Sequence, residues 1–153
     1  MTKLFFFISI NFIIFNTVLA KNININEDLN LEFNCKLEKK IIKNSEYNYK
    51  MFLADEVDEI NLDSLKVYTN QPSTLMVNGL SDFFSQISNF DVKIVNKDVV
   101  LFKAFNNKKT YSESAIITRK SGELIHEITK NINTENSEKD ILIYICKNKS
   151  KNA

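Results

Sequence analysis

The sequence predicts an all-β fold: an antiparallel meander of about seven or eight strands that forms a small barrel or sandwich, with one short helix. Short runs rich in β-branched and aromatic residues recur along the chain and are separated by turn compositions such as Asn-Asn-Lys-Lys and Lys-Ser-Gly. Helical spacing of apolar residues is confined to one segment. The 2 cysteines lie near opposite ends of the chain, which predicts terminal strands joined by a disulfide.

Residues 1–20 have the features of a secretory signal peptide. Lys3 supplies the positive start, residues 4–15 are almost entirely apolar, and a small-residue cleavage site ends at Ala20. The apolar run is about a dozen residues, whereas a membrane-spanning helix needs roughly 20. We expect cleavage after Ala20, which leaves residues 21–153 as a single β domain, periplasmic or secreted and without a transmembrane segment; an uncleaved membrane anchor is the alternative.

The predicted mature chain is electrically balanced. The full sequence has 20 basic and 19 acidic residues. Removing the signal peptide removes Lys3 and no acidic residue, which leaves 19 of each sign with the single histidine neutral. This balance argues against a nucleic-acid partner, because phosphate binding needs a surplus of Lys and Arg. Abundant Lys, Asn, Ile and Phe beside 2 Gly and 1 Pro indicate AT-rich codon usage, so much of the Asn and Lys content carries no functional signal.

Cys35 and Cys146 are predicted to form a structural disulfide, the default for two cysteines in an exported chain. Each shares an alternating strand face with apolar residues, so both sulfurs face the core. A bond between them requires the first and last strands to be neighbours with Cα atoms within about 7 Å. We expect this pairing to close the sheet on itself. A metal or redox role is the weaker alternative, since there is no C-x-x-C and His126 alone cannot complete a zinc site; no cofactor is expected.

The other elements follow from local pattern. The segment 80–90 places Leu80, Phe83, Phe84 and Ile87 at helical spacing behind Ser81 as a cap, which predicts a short helix. Candidate strands lie at residues 31–38, 47–54, 65–69, 74–78, 92–96, 98–105, 111–119, 123–129 and 140–146.

Two of these strands, in residues 99–102 and 140–146, are apolar on both faces. A strand with one face in water should alternate, so something must cover the outer face. We expect the helical segment 80–90 to lie across it. A homodimer contact is the alternative, because a large exposed apolar patch usually marks an interface.

Arg119 and His126 are the candidate ligand-binding residues. Arg119 directly precedes the Lys-Ser-Gly turn, where it is placed to hold a carboxylate at a barrel mouth; a cross-strand ion pair or a bridge to a loop carbonyl is the more ordinary role. His126 is more readily a packed or rim residue than a catalytic one. No nucleophile motif is present, so no catalytic residue is predicted and the chain is not expected to be an enzyme.

The acidic run at residues 55–59, with Asp63 beyond it, is a candidate for Ca²⁺ binding, because hard cations bind clustered carboxylates. It lacks the spaced ligands and the glycine of a calcium loop, so we interpret it as a solvated loop and predict no metal site.

Residues 115–124 (Ala-Ile-Ile-Thr-Arg-Lys-Ser-Gly-Glu-Leu), together with Phe33-Asn-Cys35 and the terminal Tyr144-Ile-Cys146-Lys147, resemble small uncharacterised secreted or periplasmic β-barrel proteins, lipocalin-like in architecture, of AT-rich bacteria. Such proteins often carry Asp where this chain has Thr118. The resemblance implies a disulfide-bonded meander and no known activity. The chain has no Trp, so the Gly-x-Trp signature of true lipocalins is absent.

Three functions are open. The first is an exported binding module that holds a small apolar ligand inside the barrel, an expectation that rests on fold analogy alone. The alternative is an envelope interaction or structural protein that dimerises or docks through its outer apolar face. A hydrolase that uses His126 and a carboxylate is the least favoured. Whether the interior is hollow or filled separates the first function from the second.

Overall fold

The computed structural model describes residues 29–58, 61–70, 74–87 and 89–149, so the predicted signal peptide lies outside the described residues. Within these ranges the chain is all-β, with one α-helix, as the sequence predicts. The strands are β1 Asn30–Lys43, β2 Lys50–Leu53, β3 Leu62–Asn70, β4 Thr74–Asn78, β5 Val92–Val95, β6 Val99–Phe105, β7 Tyr111–Thr118, β8 Glu123–Lys130 and β9 Glu138–Asn148. A 3₁₀ helix spans Ala54–Glu56, and the helix α1 spans Asp82–Gln86.

These nine strands form one antiparallel sheet that curls into a half-barrel. Its order is β4-β3-β1-β9-β8-β7-β6-β5, and β2 pairs with the second half of β1. The strands β5 to β9 are a simple meander. β1 lies between β3 and β9, so the first and last strands are neighbours in the middle of the sheet and its open edges are β4 and β5.

The predicted disulfide joins Cys35 of β1 to Cys146 of β9, which lie directly opposite each other with their Cα atoms 3.9 Å apart. The expectation that this pairing closes the sheet was wrong. Because β1 and β9 are central, the bond fastens the two halves of the half-barrel together. Gly122 packs beside it: with a φ of +74°, it brings its Cα so close to β9 that an added Cβ would lie 2.2 Å from the carbonyl oxygen of Cys146.

The concave face of the sheet carries the core. Alternate residues of the strands point to this face and are buried, namely Leu31, Phe33, Cys35, Leu37, Leu65, Val67, Leu75, Val77, Val100, Phe102, Ala104, Ala115, Ile117, Leu124, Leu142, Tyr144 and Cys146. The segment from Leu80 to Phe90 covers them. Phe84 of α1 is almost fully buried, with its ring centroid 5.0 Å from that of Phe102 and 5.6 Å from that of Phe90.

The expectation that α1 lies across the outer face was therefore wrong. The chain passes from β4 at one edge to β5 at the other through α1, and this connection crosses the open side of the half-barrel. Among the described residues no second sheet packs against the concave apolar side chains, so burial of Phe84 among them is the larger hydrophobic gain. The outer face stays without a covering element among the described residues.

We expect replacement of both Cys35 and Cys146 by alanine to lower the free energy of unfolding by about 3–5 kcal/mol, because the bond closes a loop of roughly a hundred residues. Urea denaturation followed by far-ultraviolet circular dichroism measures the change. Reduced wild-type protein is the matched control and should unfold at the same urea concentration as the variant. An unchanged midpoint, or two titratable thiols in oxidised protein, would contradict the central role of this bond.

Candidate functional site

The structure places the two predicted ligand-binding residues in different environments. His126, on β8, is buried on the concave face, with 2% of its surface exposed. Arg119 lies in the turn between β7 and β8, at one end of the half-barrel. His126 belongs to a buried polar cluster, and Arg119 belongs to an open pocket.

The buried polar cluster centres on Glu113 of β7, whose side chain also points to the concave face and is 2% exposed. His126 Nε2 lies 2.7 Å from Glu113 Oε2. Ser81 Oγ donates a hydrogen bond of 2.7 Å to the same oxygen, and Tyr111 OH donates one of 2.5 Å to Oε1. Both carboxylate oxygens are therefore satisfied although they are out of contact with bulk water.

Electrostatics keep this carboxylate ionised. Burial by itself raises the pKa of the Glu113 carboxyl, but the hydrogen bonds from His126, Tyr111 and Ser81 outweigh burial and hold that pKa below its ordinary value. Burial, with the hydrogen bond to Glu113, raises the pKa of the Tyr111 phenol, which therefore stays protonated as a donor. The cluster is thus one buried anion surrounded by donors.

The cluster attaches α1 to the sheet. Ser81 is the N-cap of α1, since its Oγ accepts a hydrogen bond from the backbone N–H of Phe84 while it donates to Glu113. A nucleophile relay would require the Ser81 hydroxyl to donate its proton to the imidazole of His126. The hydroxyl donates to Glu113 instead, so these residues do not form such a relay. These hydrogen bonds hold the start of α1 against the sheet, and we call the cluster of Ser81, Tyr111, Glu113 and His126 the Glu113 clamp.

Glu113 was missed at the sequence level, although a signal was present. Glu113, Ala115 and Ile117 share one strand face, so a glutamate occupies a position that the alternation assigns to the core. A buried carboxylate needs a partner. His126 is likewise the polar residue at a core position of the neighbouring strand, and pairing these two would have identified the clamp.

The open pocket lies at the end of the sheet where the β5–β6 and β7–β8 turns meet. Arg119 connects the two turns: its backbone N–H donates to Asp98 O, and its Nη1 donates to Asn96 O, each at 2.8 Å. The Asn96 side chain in turn accepts from the backbone N–H groups of Asp98 and Val99. The guanidinium is thereby anchored to the β5–β6 turn by a hydrogen bond to the Asn96 carbonyl.

We call this cavity the mouth pocket; it has a volume of about 320 Å³ and is partly open to solvent. Three basic residues and one acidic residue surround two buried apolar side chains. It is lined by Leu31, Phe33, Lys97, Asp98, Arg119, Lys120 and Asn148. A second pocket, of about 420 Å³, lies between the β1–β2 and β8–β9 connections and is lined by polar residues of both charge signs. The mouth pocket alone of these two combines an apolar floor with an excess of positive charge.

The acidic run at residues 55–59 lies only partly within the described residues. Glu56 accepts a hydrogen bond of 2.7 Å from the backbone N–H of Leu53, so it caps the 3₁₀ helix. Across the described ranges, no group of three or more His, Cys, Asp or Glu side chains lies close enough together to hold a metal ion.

Comparison with known proteins finds no family model, no curated protein and no solved structure that matches this chain. Of the helices formed by the described residues, none has the length and apolar character needed to cross a bilayer.

We expect the Glu113 clamp to make stability sensitive to acid. Because the pKa of Glu113 is lower in the folded chain than its ordinary value of 4.5, the stabilisation is complete above pH 4.5 and is lost as the pH falls through the folded pKa. Glu113→Gln should lower the free energy of unfolding at pH 7 by about 1–3 kcal/mol and flatten its decline in acid. Urea denaturation at a series of pH values between 7 and about 3 measures both effects.

Glu135→Gln is the matched control, because Glu135 is an exposed carboxylate in the β8–β9 loop. It should leave both the stability at pH 7 and the acid limb unchanged. If Glu113→Gln kept the full acid dependence of the wild type, another group would be responsible and the clamp would not be the pH-sensitive element.

Proposed function

We propose that the protein is an exported binding module that takes a small organic anion in the mouth pocket. In this proposal Arg119 holds the carboxylate of the ligand, and Leu31 and Phe33 contact its apolar part. The supporting observation is a positionally fixed guanidinium at the rim of a cavity with an apolar floor. The disulfide and the predicted signal peptide support an oxidising, periplasmic or secreted location.

The sequence led us to expect an apolar ligand in the barrel interior, whereas the site proposed here lies in the mouth pocket. The concave face is occupied by the chain itself, since the segment from Leu80 to Phe90 buries Phe84 against Phe102. An interior ligand of a few hundred Å³ would have to displace this segment and break the clamp between Ser81 and Glu113. A ligand at the mouth needs neither change.

Charge and shape favour an anion with a short apolar part. A guanidinium presents its N–H donors in a planar fork that matches a carboxylate, and the Asn96 carbonyl fixes its orientation before any ligand arrives. Lys97 and Lys120 are exposed beside it, against Asp98 as the one acidic side chain in the lining. The volume of about 320 Å³ is at the small end of the range for ligand sites, roughly 300–1,000 Å³.

Straight-chain monocarboxylates from butanoate to decanoate test the proposal, with the corresponding primary alcohols as uncharged counterparts. Backbone amide NMR shifts should change at Leu31, Phe33 and the two turns, and isothermal calorimetry should show that affinity rises with chain length. Arg119→Gln should weaken carboxylate binding by about tenfold or more, because it removes a charge-assisted hydrogen bond. The alcohols should bind weakly to both proteins.

Lys108→Gln is the matched control, since it removes an exposed positive charge from the β6–β7 turn, at the opposite end of β7 from Arg119. It should leave carboxylate affinity unchanged. Equal binding of acids and alcohols would mean that the site recognises only the apolar part of the ligand, which would contradict the role of Arg119. Shifts confined to residues of the concave core, or none at millimolar ligand, would refute the mouth pocket as the site.

A further inference from the structure

The outer, convex face of the sheet carries a continuous row of aliphatic side chains. Ile94, Leu101, Ile116, Ile125 and Ile143 lie directly opposite one another on five successive strands, β5 to β9. Residues opposite each other in antiparallel strands point to the same face. None of the five is fully buried, and 40% of the Ile116 surface is exposed.

A second line of isoleucines crosses this row along β9. Ile141, Ile143 and Ile145 alternate outward on that strand, and Ile145 is 44% exposed. β9 is one of the central strands of the curled sheet, so these side chains lie at the crown of the convex face. We call the row and this line together the convex band.

Lysines surround the crown. The outward positions of β1 and β9 carry lysines beside the isoleucines and at both ends of their line, namely Lys36, Lys39, Lys43, Lys139 and Lys147. Lys36 lies opposite Ile145, and Lys39 lies opposite Ile143.

Acidic side chains on this side are fewer. The neighbouring strand β8 contributes Glu123 and Glu127 at outward positions, and Glu127 is paired with Lys139 at 3.0 Å. The exposed Glu38 of β1 lies in the sequence between Lys36 and Lys39. Glu32, near the start of β1, is paired with Lys66 at 3.8 Å. With Lys66 included, the outer positions of β1, β3, β8 and β9 therefore carry six lysines and four glutamates, an excess of two positive charges in a chain that has 19 residues of each sign after the predicted cleavage.

We propose that the convex band rests on a lipid surface that carries anionic head groups. The crown is aliphatic and curved outward, so its isoleucines reach a flat surface first, while the flanking lysines meet the head groups. Attraction of this kind contributes about a factor of five in affinity for each lysine close to an anionic membrane. This inference is independent of the ligand proposed for the mouth pocket.

Two other occupants fit less well. A second copy of the chain would bring two lysine-rich faces together, and like charges at an interface are unfavourable. A protein partner usually engages Trp, Tyr or Arg at the centre of its contact, and the convex band contains none of these residue types.

Sedimentation with vesicles tests the inference. The chain without residues 1–20 should sediment with vesicles that contain phosphatidylglycerol and phosphatidylcholine in a ratio of about 1:2, and not with pure phosphatidylcholine, because the lysines require anionic lipid. Lys36→Gln with Lys39→Gln should weaken binding by roughly twentyfold at low salt. Ile116→Ser with Ile145→Ser should weaken it by about tenfold or more through the loss of apolar contact.

Lys97→Gln with Lys120→Gln is the matched control, because it removes the same charge from the mouth and not from the convex face. It should sediment like the wild type, and circular dichroism should show that all three double variants are folded. Failure to sediment, equal sedimentation with both vesicle types, or wild-type sedimentation of both convex-face variants would overturn the inference. A dimer in analytical ultracentrifugation that Ile116→Ser with Ile145→Ser abolishes would assign the face to a second copy instead.

Discussion

The pairing of β1 with β9 is the constraint on which the rest of the structure depends. β1 is 14 residues long and is the only described strand that pairs with three others: β9 along one side, and β3 and β2 in succession along the other. Without β1 the sheet would separate into the β3–β4 hairpin, which is at best marginally stable alone, and the β5–β9 meander. The disulfide lies within this pairing and joins two strands at residues 111 positions apart in the sequence.

In the part of the chain that the structure describes, no second sheet covers the concave face of the half-barrel, so a connecting segment has to cover it. The connection from β4 to β5 must cross the open side, and it does so with α1. Five helical residues have little stability of their own, so tertiary contacts must supply it. Phe84 provides apolar contact, and Ser81 and Glu113 provide a polar one. The helix is therefore ordered by the sheet rather than by its own sequence.

Much of the fold could be predicted because it depends on patterns within short segments of the sequence. The alternation around Leu31, Phe33 and Cys35 identifies a strand and its core face, and Ser81 identifies the start of α1. The side of the sheet on which α1 packs could not be predicted, because residues 99–102 and 140–146 are apolar on both faces and the pattern does not distinguish them. The contacts in the two candidate sites could not be predicted from the sequence. The Glu113–His126 pair and the Arg119–Asn96 contact each join residues that become neighbours only when the strands pair in their final register.

The distribution of isoleucine on the convex face differs from what strand propensity alone would produce. Outward positions need only a residue that tolerates a pleated, half-exposed surface, and Ser114 and Thr118 fill that role on either side of Ile116. If propensity were the only cause, the isoleucines would be scattered over the face. Ile94, Ile116, Ile125 and Ile143 instead share one register with Leu101, and Ile141 and Ile145 adjoin this row on β9, which is the arrangement that the proposed membrane contact requires. Leu31 and Phe33 face the concave side, so the mouth pocket would stay open while a membrane contacted the convex band.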